Sequence, residues 1–191
     1  MLPPTIWRTL VEGIDLAAED LRTPTRRDAS RPSRAQAVLS AHAVAMVSHR
    51  AAHVAQLSGF GLLAHAIAFV PRVLVGVDIH PSATIGRRVF LDHGQGIVIG
   101  ESAAVGDDVV LHHGVTLGAT WSGLAEGPER RRHPVIGDRV RIGCRASVLG
   151  AVTIGDAATI DAGCVVHNDL APGDRVRATS APEREADRWT A

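Results

Sequence analysis

Aliphatic residues recur every six positions through the second half of the chain. They fall at Ile79, Ile85, Leu91 and Ile97, and resume in a shifted frame at Ile99, Val105, Leu111 and Leu117. After a gap the series runs through Ile136, Ile142, Val148, Ile154, Ile160 and Val166. Small or branched residues such as Ala83, Val89, Ala103, Val140 and Ala158 stand four positions after most of them. A period of six is neither helical nor plain strand alternation. It suits short flat strands joined by tight corners, three to a coil. Each aliphatic side chain then stacks inside, above its copy one coil earlier. That is a parallel β-helix, whose coils bury their faces against one another.

Two breaks interrupt the period. The shift between Ile97 and Ile99 places a bulge around Gly94-Gln95-Gly96, beside His93. The second break spans Ala119 to Val135, and its middle, Trp121 to Glu129, should loop out. Loops on rigid repeats are where function tends to sit.

Upstream, apolar residues change to three- and four-residue steps. Leu2 to Leu21 reads as an amphipathic helix, with Pro3 and Pro4 in its first turn. Thr23 to Pro32 is a polar, basic connection. Ala35 to Leu57 reads as a second helix, broken by Gly59 and Gly61, and a third runs from about Leu62 to Leu74. The chain thus divides into a helical region at 1–76, a β-helix at 77–170 with a looped-out segment at about 119–135, and a tail at 171–191. The fold class is mainly β. His42, His49, His53 and His65 lie on the helices and read as packing or solvent-facing positions. A metal site needs more ligands at tighter spacing.

Composition narrows the function. Of 191 residues 46% are apolar, enough for a packed core, and 20 basic residues balance 20 acidic ones. That balance argues against a polyanion binder. With no Tyr, three Phe and three Trp, a stacking platform for bases is not expected. Cys144 and Cys164 lack CxxC spacing and suggest neither a zinc site nor a disulfide framework. The longest apolar stretch, 61–77, is interrupted by His65, Pro71 and Arg72 and is too short to cross a bilayer. Met1 to Asp20 carries no apolar run with a cleavage signal. The expectation is a soluble cytoplasmic protein with no nucleic-acid, membrane or metal partner.

Two runs concentrate chemistry. Val77-Asp78-Ile79-His80-Pro81 opens the repeat, and Leu91-Asp92-His93-Gly94 follows inside it. Asp78 precedes His93 by 15 residues on a scaffold whose coil is near that length. An imidazole titrates close to neutral pH and suits a general base. A carboxylate on its other nitrogen would fix the tautomer and stabilise the imidazolium.

At these motifs the chain resembles the serine O-acetyltransferases of the hexapeptide-repeat acyltransferase superfamily, over roughly residues 25–170. The resemblance rests on Ser48-His49-Arg50-Ala51-Ala52-His53, the two runs above, Ile99-Gly100-Glu101, Gly114-Val115-Thr116-Leu117-Gly118 and Arg132-His133-Pro134. The repeat alone is generic, whereas these runs in this order are specific to the serine branch. The resemblance implies a left-handed parallel β-helix and homotrimers, possibly paired, with active sites in the grooves between subunits. It implies acetyl transfer from acetyl-CoA to the hydroxyl of L-serine, giving O-acetylserine for cysteine biosynthesis. It assigns the His93–Asp78 pair as base and orienting carboxylate.

Other roles follow from the same match. Arg132 suits a bidentate grip on the acceptor's carboxylate. His133 suits substrate binding or stabilisation of charge at the reacting carbonyl. Asp92 would pair with the acceptor's ammonium, and Glu101 would order the site from behind. Asp28 lies 22 residues before Arg50, the spacing of the family's substrate-binding aspartate from its helical arginine. His113 falls about one coil above His93. Gly118, Ala119, Cys144 and Ala162 would line the path of the acyl-CoA.

Several positions depart from the family. Its Asp-Pro-Ala reads Asp28-Ala29-Ser30, and its Gly-Gly-Thr reads Gly118-Ala119-Thr120. Cys144-Arg145 and Asp161 replace Gly or Ala. The tail ends Trp189-Thr190-Ala191 without the terminal isoleucine that enters cysteine synthase, so that complex is not expected. The departures gather on the donor side. They leave room for a specialised-pathway acyltransferase with another thioester donor or a serine-like acceptor. A non-catalytic β-helix scaffold, or a γ-class carbonic anhydrase relative using His80, His93, His112 and His113, is the remaining alternative.

Overall fold

The computed structural model describes residues 4–28, 30, 33–120 and 131–178. The segment expected to loop out, Trp121 to Glu129, and the Trp189-Thr190-Ala191 tail lie outside them.

Five helices come first: α1 (Pro4–Asp20), α2 (Thr23–Arg27), α3 (Arg34–Val38), α4 (Ala41–Leu57) and α5 (Gly61–Val75). The connection expected at Thr23 to Pro32 contains α2, whose start carries Pro24. The helix expected over Ala35 to Leu57 is two helices. Ser40 divides them: its hydroxyl accepts the Ala43 amide at 3.2 Å, capping α4, and donates to the Ala37 carbonyl at 2.6 Å. A serine that serves both helix ends stabilises the break.

Short parallel strands then wind into a three-faced prism. Face one stacks β1 (Asp78–Ile79), β4 (Val98–Ile99), β7 (Thr116–Gly118), β10 (Ser147–Leu149) and β13 (Val165–Val166). Face two stacks β2 (Thr84–Ile85), β5 (Ala104–Val105), β8 (Val135–Ile136) and β11 (Thr153–Ile154). Face three stacks β3 (Phe90–Asp92), β6 (Val110–His112), β9 (Arg141–Ile142), β12 (Thr159–Ile160) and β14 (Arg175–Val176). β14 carries the prism past residue 170, where the sequence reading ended it.

The six-residue series fills the interior: Ile79, Ile99, Leu117, Val148 and Val166 on face one are all at most 5% exposed. Registers locate both breaks. Asp78 pairs with Val98, Val98 with Thr116 and Thr116 with Ser147, steps of 20, 18 and 31 residues. The regular coil is therefore 18 residues; the first gains two and a later one thirteen. The edge between faces three and one turns through a left-handed residue at each level. Gly76, Gly96, Gly114 and Gly163 supply it with φ near 70°, and Arg145 with 57°.

Buried polar side chains tie the helices to the prism. Arg50 donates through Nε to Asp20 at 2.9 Å, and its two terminal nitrogens reach the Ile85 and Gly86 carbonyls. His42 takes the Leu91 amide on Nδ1 at 3.2 Å and gives Nε2–H to the Asp20 carbonyl at 3.0 Å. These bonds satisfy the turn before β3 and the Leu91 amide within it; β3 is the strand that carries Asp92.

Candidate active site

The chemistry-bearing residues gather on two edges of the prism. On the edge between faces three and one, Asp92 pairs with His112 in register. The Gly114 amide bonds the Gln95 carbonyl at 2.8 Å, so Gln95 lies below His113. His93 and Gly94 are then the two residues with no counterpart a coil later. The bulge does not sit beside His93; it contains it. Their φ values of 62° and 71° are left-handed, a conformation that costs a non-glycine residue about 1–2 kcal/mol. Gly94 fits because a Cβ there would come within 3.3 Å of both Ala41 and Val77. The insertion pushes the His93 imidazole into solvent, 78% exposed.

Acidic groups and further imidazoles surround it. Asp92 holds His112 Nδ1 at 3.0 Å through Oδ2, and its Oδ1 is 3.6 Å from His93 Nε2. The His113 ring centroid is 6.1 Å from that of His93. Asp28, at the end of α2, accepts the Ser30 amide at 2.8 Å. Hydrogen bonding from Ser30 holds the Asp28 carboxyl below its ordinary value, and His93 adds a smaller pull the same way. Asp28, Ser40, Ala41, Asp92 and His93 line a cleft of about 210 Å3. The structure thus brings Asp28, Asp92 and His93 together, although Arg50 is committed to Asp20.

Asp78 is placed differently. It points outward from β1, and its carboxylate takes Arg72 of α5 at 2.7 Å. The expected Asp78–His93 hydrogen bond is replaced, within this chain, by that ion pair.

The edge between faces one and two carries the second group. Arg132 donates to Glu101 at 2.7 Å. His133 is 8% exposed, and its Nδ1 accepts the Ser102 amide at 3.2 Å. An amide can only donate, so the proton of the neutral ring is on Nε2. Burial lowers the His133 pKa, and neighbouring Arg132 lowers it further, so the ring is neutral near pH 7.

The donor-side positions divide the same way. Cys144 and Ala162 climb the first edge above His113: Arg145 bonds the His113 carbonyl and Gly163 the Cys144 carbonyl, each at 2.9 Å. Gly118 and Ala119 lie on the second edge, where Gly118 accepts the Gly150 amide at 2.9 Å. The residues singled out from the sequence thus divide between two edges, His93 on one and Arg132 on the other. Among the described residues no three His, Cys, Asp or Glu side chains lie close enough to hold a metal ion, and no helix is long and apolar enough to cross a membrane.

Comparison with known proteins agrees. Residues 133–168 match the pattern described as "Bacterial transferase hexapeptide (six repeats)". The chain is 43% identical over 144 residues to a Helicobacter pylori serine acetyltransferase, covering 75% of this chain and 81% of that protein. It belongs to the serine acetyltransferase family. A Mycobacterium tuberculosis serine acetyltransferase is 47% identical over 154 residues, covering 80% of this chain but 65% of the relative's length. Among solved structures, soybean serine acetyltransferase complexed with serine superimposes with a TM-score of 0.78 at 36% identity, covering 85% of this chain and 65% of that one. Isoform 3 from Entamoeba histolytica, in complex with cysteine, gives 0.83 at 31% identity over 94% and 63%.

Three residues of this serine acetyltransferase family member escaped the sequence reading of the site, Arg72, Ser102 and the anchoring His42, and His112 entered it only as a ligand of the carbonic anhydrase alternative. Only His112 left a signal, since the coil length sets it above Asp92 once the two extra residues are counted.

Proposed function

We propose that the protein transfers an acetyl group from acetyl-CoA to the hydroxyl of L-serine, in sites formed between neighbouring copies of a homotrimer. One observation supports this most: the base and the carboxylate-gripping arginine occupy different edges of one rigid prism. In a closed ring, the base edge of each copy faces the arginine edge of the next. Every interface then assembles Asp28, Asp92 and His93 against Arg132 and His133.

Arg132 grips the acceptor's carboxylate and Asp92 its ammonium, leaving the hydroxyl at His93. His93 takes the hydroxyl proton as the oxygen attacks the thioester carbonyl. His133, neutral with its proton on Nε2, donates to the oxygen that gains charge. The intermediate collapses, the carbon–sulfur bond breaks, and the leaving thiolate recovers the proton from His93. The products are O-acetylserine and the free thiol. Asp78 orients the imidazole by exchanging Arg72 for His93 when the groove fills. The acyl-CoA arm lies along Cys144 and Ala162 of one copy and Gly118 and Ala119 of the next.

The test uses two inactive variants, His93→Ala and His133→Ala. Alone, neither should release thiol from acetyl-CoA in the presence of serine. Co-refolded in equal amounts, they should recover about a quarter of wild-type activity, the random share of interfaces with both intact edges. No recovery in trimers shown to be mixed rejects the shared site. Absence of thiol release by the wild type with serine rejects the acceptor.

A further inference from the structure

Ser102 makes more bonds to the second edge than any catalytic assignment requires of it. Its hydroxyl lies 3.1 Å from the Arg132 amide, 3.2 Å from the His133 amide and 2.9 Å from His133 Nδ1. Both amides can only donate, so the oxygen accepts twice, and its single proton goes to Nδ1. The Ser102 amide reaches the same nitrogen at 3.2 Å. Nδ1 therefore receives two hydrogen bonds and cannot carry a proton without breaking both. Ser102 is itself exposed, so it contributes nothing to the core.

We infer that Ser102 is a positioning residue: it anchors the chain where it returns to the prism, and locks His133 into the Nε2–H tautomer. The inference rests on the acyl-transfer reading for its consequence in catalysis, but the tautomer is a property of the free protein. The anchor matters because thirteen additional residues enter the coil just before Arg132 and His133. The hydroxyl adds the contacts to the Arg132 and His133 amides, beside the Arg132–Glu101 pair and the Ala104 amide on the Pro134 carbonyl at 3.1 Å. Hydrogen bonds that favour the neutral ring also disfavour the imidazolium. They act in the same direction as burial and Arg132, and against Glu101; His80 also faces the ring and opposes its protonation.

The test compares Ser102→Thr with Ser102→Val, which are nearly isosteric and differ in the hydroxyl, alongside Ser102→Ala. Histidine-labelled full-length protein reports the His133 tautomer and pKa through its ring-nitrogen shifts. His42, whose Nδ1 accepts the Leu91 amide at 3.2 Å, is the internal reference. Wild type and the Thr variant should show a single Nε2–H ring. Val and Ala keep the Ser102 amide on Nδ1 but lose the hydroxyl donor, so they should show a shifted Nδ1 resonance and a higher His133 pKa, with His42 unmoved. In turnover, the acid limb of the pH profile should move to higher pH, and kcat/KM for serine should fall about 10- to 100-fold in Val and Ala but less than about threefold in Thr. An unchanged His133 Nδ1 resonance and pKa in Val overturns the inference, as does equal impairment of Thr and Val. A wild type with no serine acetylation removes the proposed reaction and leaves the resonance test standing.

Discussion

His133 occupies the space in which a side chain on Gly100 would begin: a Cβ there would lie 2.0 Å from Cδ2 and 2.1 Å from Nε2 of the ring. No L-residue with a side chain fits without moving the imidazole. Gly100→Ala should displace the ring by about an ångström and lower kcat/KM about 100-fold. Because the ring is buried and held by Ser102, moving it should also lower the melting temperature. Steady-state kinetics with serine, beside thermal melts, check both parts.

Asp78 and Asp92 should separate by kinetic pattern. Asp78→Asn removes the carboxylate proposed to orient His93. It should lower kcat up to about 10,000-fold, with the KM for serine nearly unchanged. Asp92→Asn should instead raise the KM for serine, since Asp92 is the carboxylate proposed to pair with the ammonium. Arg72→Gln breaks an exposed pair and should cost under about 1 kcal/mol of stability. Reversal of the two aspartate patterns would make Asp92, already 3.6 Å from His93, the orienting carboxylate.

His93→Asn offers a test of strain at the base. Asparagine enters left-handed backbone more readily than most residues. The variant should lose activity by about 100- to 10,000-fold, the usual contribution of a general base. Its urea midpoint should be equal to or above that of the wild type. A large drop in midpoint would mean the imidazole also holds the corner together.

Stability should depend on pH through His42. Burial lowers its pKa from 6.5 to about 4. The unfolded chain then binds a proton below about pH 6.5 that the folded chain refuses until about pH 4. Stability is fully present above the unfolded value and is lost as pH falls across that window, by about 3 kcal/mol. Buried His49 shifts in the same direction. Urea unfolding between pH 7.5 and 4.5 should show this slope, and His42→Gln should flatten it.

The prism was legible because each interior position reports its own burial: Ile79, Ile99 and Leu117 carry the period whatever lies outside. Both corner insertions were also visible as frame shifts. What the period does not encode is which way an outward side chain turns. Arg72 competes for Asp78 from a helix packed beside β1, and no spacing rule connects the two. The Ser40 break was hidden because Ala35 to Leu57 is helical in pattern throughout, and only a capping bond divides it. Ser102 carries no sequence signal, because the residues it bonds, Arg132 and His133, lie 30 and 31 positions away. Asp28, by contrast, was singled out by its distance to Arg50, and it lines the cleft beside His93, although Arg50 itself bonds Asp20.

The two insertions, of two and thirteen residues, both enter at corners, and the strands on either side still stack in register. Folding and fitting are thereby uncoupled. The stacked aliphatic column specifies the prism, while corner length sets how far a group projects from it. Shortening or lengthening 119–131 should therefore change acceptor size without a folding penalty, making that corner a natural point of divergence between enzymes built on the same frame.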